Sequence, residues 1–133
     1  MKKVFKWGEF IEHLNYENLK YIYLSGSITK IGYEEARDIF DTFQKLFGAD
    51  NICAVSTFTS PHPSQRKKSY YIKHGIKSMI DTNAIIILGD NTESKGSRIE
   101  ENIAVELDMP IYQIFWSASG EKTPENLTIK KLN

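Results

Sequence analysis

The chain has 133 residues, of which 41% are hydrophobic and 26% charged. These proportions suit one compact domain with its own core and exclude fibrous and disordered classes. Seventeen basic residues balance seventeen acidic ones, so no net field draws in nucleic acid, and a small ligand is the expected partner.

In chain order, Phe5, Trp7, Phe10, Ile11 and Leu14 recur at helical spacing and predict an amphipathic extension over residues 1–19, for core packing or a subunit contact. The opening Met1-Lys-Lys-Val-Phe-Lys-Trp7 is too short and interrupted for a signal peptide. No apolar stretch approaches the roughly 20 residues that span a bilayer, so a soluble, cytoplasmic protein without a membrane partner is expected. Tyr21 to Leu24 reads as a strand ending in the small-residue loop Ser25-Gly26-Ser27. A helix is predicted over 33–47, where Ala36, Ile39, Phe40, Phe43, Leu46 and Phe47 share a face and Gly48 stops it. Asn51 to Val55 is the next strand; within it the lone Cys53 reads as a core residue in a reducing compartment.

Ser56 to Ser69 is a polar loop leading to a helix over 70–80. The run Ala84-Ile-Ile-Ile-Leu88 is apolar without alternation, as in a central strand covered on both faces. A loop over 89–95, a helix over 97–107 and a strand over 110–115 follow. The core thus spans 20–116, and the tail 117–133 holds at most a short strand around Leu127 to Ile129. Strands alternating with helices predict a single doubly wound α/β domain, Rossmann- or flavodoxin-like, with a parallel sheet flanked by helices. Its ligand would lie at the carboxyl ends of the strands, beside both the Ser25-Gly26-Ser27 and Ser94-Lys95-Gly96 loops.

The stretch Ser94 to Ala104, SKGSRIEENIA, opens a helix near a natural anion site. Its two carboxylates, Glu100 and Glu101, lie about 100° apart around a helix and are expected to differ in job. On the residues alone Glu100 reads as a first-turn carboxylate complementing the helix dipole. Tyr23 likewise reads as an ordinary strand aromatic, and Ser25-Gly26-Ser27 as a tight turn.

Three segments carry a resemblance. Tyr23 to Thr29 (YLSGSIT), Asn83 to Leu88 (NAIIIL) and the Ser-x-Gly-x-x-x-Glu-x-x-x-Ala pattern of Ser94 to Ala104, followed by Pro110-Ile111, resemble the nucleoside 2-deoxyribosyltransferase-like superfamily. That group includes 2'-deoxynucleoside 5'-monophosphate N-hydrolases and small phage-type relatives. The resemblance covers Lys20 to Phe115. It implies that Glu100 is the nucleophile on the anomeric carbon, forming a glycosyl ester as retaining glycosidases do. It implies further that Tyr23 orients Glu100; Glu101 has no counterpart in it and is assigned to solvent. Ser94 stands where the monophosphate hydrolases carry a phosphate-contacting Ser. With Gly96, Ser97 and the Ser25-Gly26-Ser27 loop it offers uncharged donors to a phosphate, free of the repulsion an Asp would impose; Lys30, Lys95 and Arg98 are candidates to add charge.

The pattern also departs from that group. Gly75 stands where it commonly has an Asp that handles the leaving-base proton, and Asn83 replaces a second Asp. His74 and Asp81 are the candidate substitutes; His62 is a loop residue. Scattered histidines and one cysteine offer no metal constellation, and no cofactor is expected. The expected activity is cleavage of the base–sugar bond of a nucleoside 5'-monophosphate or related nucleotide, by hydrolysis or deoxyribosyl transfer. The alternative is a catalytically silent nucleotide-binding, sequestering or sensor protein. An NAD-cleaving enzyme like the Toll/interleukin-1 receptor-type domains fits the Glu spacing less well. A homodimer or higher homo-oligomer is expected, formed through the N-terminal aromatics and the Tyr70-Tyr71 pair.

Overall fold

The computed structural model describes residues 3–28, 31–59, 68–117 and 120–133, with backbone alone for 59 and 68–71. Lys30, His62 and the side chains of Tyr70 and Tyr71 lie outside the described residues. The elements are β1 (Val4–Phe5), α1 (Trp7–Tyr16), β2 (Tyr21–Gly26), α2 (Tyr33–Ala49), β3 (Cys53–Val55), α3 (Lys68–Ile80), β4 (Ala84–Leu88), α4 (Lys95–Glu106), β5 (Ile111–Phe115) and β6 (Thr128–Lys131), with short 3-10 turns at Thr57–Thr59 and Pro124–Asn126. They form one mixed α/β domain.

The strands lie in one sheet in the order β1-β6-β5-β4-β2-β3. β3, β2, β4 and β5 run parallel, while β6 and β1 extend the sheet antiparallel. From β2 the chain moves outward to β3, then crosses back past β2 to β4 and continues to β5. The direction of winding therefore reverses between β2 and β4, where the loops leaving their carboxyl ends diverge and open a crevice.

Strand alternation divides the core in two. On one face Ile22, Leu24, Ile86, Leu88 and Ile114 pack with Trp7, Phe10 and Leu14 of α1 and Phe40, Phe43 and Phe47 of α2. On the other, Tyr23, Ile85, Ile87 and Ile111 meet Met79 of α3 and Ala104 of α4. β4 is buried along its whole length, as its unalternating sequence predicts.

Three local expectations are corrected. α2 runs through Gly48 to Ala49; the left-handed residue past its end is Asn51, at φ 63°, because Asn tolerates that conformation better than most residues other than Gly. Ser25 and Gly26 are strand rather than loop residues, since β4 pairs with β2 as far as Gly26↔Leu88. Cys53 is exposed, because β3 is an edge strand and too short to bury every side chain. The N-terminal helix takes the core-packing role, one of the two its spacing allows: Phe5, Trp7 and Phe10 are buried, with the Trp7 and Phe47 rings 4.8 Å apart between centroids and tilted by 47°. The tail supplies the short strand expected around Leu127 to Ile129, as β6, and Asn133 pins it: its side chain accepts from Ile111 N at 2.9 Å and donates to Met109 O at 2.9 Å.

Candidate active site

Tyr23 and Ser25 are two residues apart on β2 and so face the same side, toward α4. Ser97 and Glu100 are three apart on α4 and share the face that looks back at the sheet. These periodicities converge on one carboxylate. Tyr23 Oη donates to Glu100 Oε2 at 2.6 Å, and Ser25 Oγ donates to Glu100 Oε1 at 2.6 Å. Ser25 has a single proton, so at its 2.7 Å contact with Ser97 the Ser97 hydroxyl is the donor. Asn91 Nδ2 donates in turn to Ser97 Oγ at 3.2 Å. A directed chain therefore runs from Asn91 through Ser97 and Ser25 to an ionised Glu100, while the Thr57 backbone N–H reaches the Tyr23 oxygen.

The group is almost sealed. Glu100 is 5% and Tyr23 1% exposed. Burial raises the Glu100 carboxyl from 4.5 to about 7, against the lowering influence of the Ser25 and Tyr23 hydrogen bonds. Burial, followed by the adjacent Glu100 charge, raises the Tyr23 phenol well above its ordinary value of 10. Glu100 is thus poised to gain or lose a proton near neutrality, and Tyr23 remains a donor. A first-turn, dipole-complementing role is excluded for Glu100, because the first turn of α4 carries no acidic residue.

Ser94 is the N-cap of α4, its Oγ accepting from Ser97 N at 3.3 Å. Tyr23, Ser25, Gly26, Ser94, Gly96, Ser97 and Glu100 all line one cavity of about 40 Å³ at the carboxyl end of β2. The volume holds a few waters, each needing roughly 10–15 Å³. It can take the reacting end of a ligand, while whole small-molecule sites occupy roughly 300–1,000 Å³. Ser27 is not among the lining residues, and its buried Oγ has no hydrogen-bond partner among the described residues. Lys95 and Arg98 line a separate surface groove with Thr92 and Glu93.

The candidate proton donors divide. Asp81 and Asn83 are exposed at the amino-terminal end of β4, with Asn83 N bonded to Tyr21 O at 2.7 Å, and neither lines the cavity that holds Glu100. His74 neighbours Gly75 on α3 and is half-buried. Glu101 is not simply solvated, for its Oε1 accepts from Asn91 Nδ2 at 3.0 Å. Asn91, Thr57 and Phe40 escape a sequence reading, because each joins the site only through sheet order and packing.

A family profile described as "Domain of unknown function (DUF4406)" matches residues 20–113. The chain belongs to the DUF4406 family. The matched span runs from β2 into β5 and includes every residue that holds Glu100. No curated protein and no solved structure matches the chain significantly. Among the described residues no three His, Cys, Asp or Glu side chains gather as metal ligands, and no helix is long and apolar enough to cross a membrane.

Proposed function

We propose that this DUF4406 domain is a nucleotide N-glycosidase or deoxyribosyltransferase that cleaves the base–sugar bond of a nucleoside 5'-monophosphate, with Glu100 as nucleophile. The observation that carries the reading is the grip on the Glu100 carboxylate by Ser25 and Tyr23, each at 2.6 Å, at the inner wall of the crevice where sheet winding reverses. A carboxylate held on both oxygens is oriented for attack on an anomeric carbon and stabilises the positive charge that develops there. One Glu100 oxygen forms a bond to that carbon as the carbon–nitrogen bond breaks, its electron pair leaving with the base. The base takes its proton from water, since Gly75 supplies none. A second displacement by water, or by another base, releases the sugar and returns the carboxylate. Ser94 and Gly96, at the start of α4, offer the phosphate a hydroxyl and a helix N-terminus.

The rival reading is a protein that binds nucleotides without cleaving them. The small cavity and the glycine at position 75 favour it. Incubation with a panel of nucleosides and 5'-monophosphates, followed by chromatography for free base, separates the two. Release from a monophosphate, lost in Glu100→Gln, supports the glycosidase. Binding of the same ligand with no base released returns the protein to the rival.

A further inference from the structure

Gly75 lies inside α3, where glycine ordinarily weakens a helix. The packing around it explains its presence. A Cβ built there would come closer than 3.0 Å to both Glu100 Oε2 and Tyr23 Oη, and within 3.5 Å of Glu100 Cδ. Real Cβ atoms essentially never approach so closely, and neither atom is free to yield. Each is buried and already committed to the Tyr23–Glu100 hydrogen bond. One turn earlier on α3, Ile72 fits against the second bare Cα of the contact, Gly96, where an added Cβ would meet Ile72 Cγ1 at 3.1 Å.

We propose that Gly75 is a positioning residue of the candidate site: its bare Cα lets the backbone of α3 close directly over the Tyr23–Glu100 pair, excluding water and fixing the carboxylate from the side opposite Ser25. Any side chain at 75, a carboxyl included, must push α3 outward or displace Glu100. The glycine is then a built part of the site rather than a vacated proton donor, and Gly75→Asp does not add a working acid to this geometry. The inference concerns the packing of the pair and stands whether or not the pair breaks a glycosidic bond.

The consequence reaches the carboxylate through water exclusion. Of the described groups that face Glu100, Tyr23 on β2 is titratable and Ser25 is neutral, and among the described residues no charged side chain of α3 or α4 is a cause that sets its proton affinity. Burial is the leading cause, and α3 at Gly75 provides part of it. Opening that seam admits water and favours the ionised form.

The test is Gly75→Ala in two backgrounds. In an ordinary helix interior this change raises stability. Here thermal melting is expected to show the reverse in the native background. With Tyr23→Phe and Glu100→Ala already in place, the two close atoms are gone and Gly75→Ala is expected to raise the melting temperature. In parallel, carbon-detected NMR of the Glu100 carboxyl, assigned with Glu100→Gln, is expected to show its midpoint moving from about 7 toward 4.5 in Gly75→Ala. If that single variant does not fold, the sign of the effect in the relieved background still decides, because a decrease there means that the clash is not with this pair. Gly75→Ala that stabilises the native protein and leaves the Glu100 midpoint unmoved overturns the proposal.

Discussion

Glu100→Gln tests two consequences of one buried group. The folded protein holds the Glu100 proton up to about pH 7, whereas the unfolded chain releases it near 4.5. Between those values the native state binds more protons than the unfolded state, so stability falls as pH rises. The contribution is fully present below 4.5, declines through the window, and is lost once pH passes about 7. That gap of 7 − 4.5, at about 1.4 kcal/mol per pH unit, corresponds to roughly 3 to 4 kcal/mol, or about 10 °C in melting temperature for a domain of this size. Gln nearly matches Glu in volume and cannot ionise, so the variant lacks this loss. Denaturation of both proteins in urea at pH 4.5 and pH 8 gives the comparison. The difference between the two pH dependences removes the other carboxylates and any fixed cost of placing an amide beside two hydroxyls. The same variant is expected to lose base release by several orders of magnitude, as removal of a covalent nucleophile does. Parallel stability curves for the two proteins would refute the buried, proton-holding carboxylate, and unchanged turnover would remove Glu100 from the mechanism.

Three further outcomes are expected. Because only ionised Glu100 attacks, kcat/KM for base release should rise with pH through about 7 and level off above it; a pH–rate profile flat from 5 to 9 would contradict the assignment. Ser94→Asp keeps a good N-cap on α4 while placing like charge beside the phosphate; calorimetry should show a wild-type preference for monophosphate over nucleoside of about tenfold or more, erased in the variant. Phe10→Ala should cost roughly 3–5 kcal/mol in urea denaturation, since Phe10 is 0% exposed; a cost near zero would return the N-terminal helix to the surface, where the sequence left room for a subunit contact.

The sequence alone determined the alternation of strands and helices, because apolar runs, helical periodicity and turn residues are local signals. Ala84 to Leu88 is legible as the central strand from its unbroken hydrophobicity, and the α2 face from the spacing of its phenylalanines. Glu100 and Tyr23 were singled out by resemblance, and their 77-residue separation in the chain gives no local sign that they touch. Tertiary structure decided that contact, through the pairing of β2 with β4 and the docking of α4 over both. It alone set the proton affinity of Glu100, since burial is a property of everything packed around a group. It moved Cys53 to the surface by placing β3 at the sheet edge, and it drew the tail into the sheet as β6. Gly75 shows the division most sharply. By resemblance it reads as a missing acid, but in the fold it is the point where α3 meets a carboxylate from α4 and a phenol from β2. Only the crossing of those three elements determines that no larger residue fits.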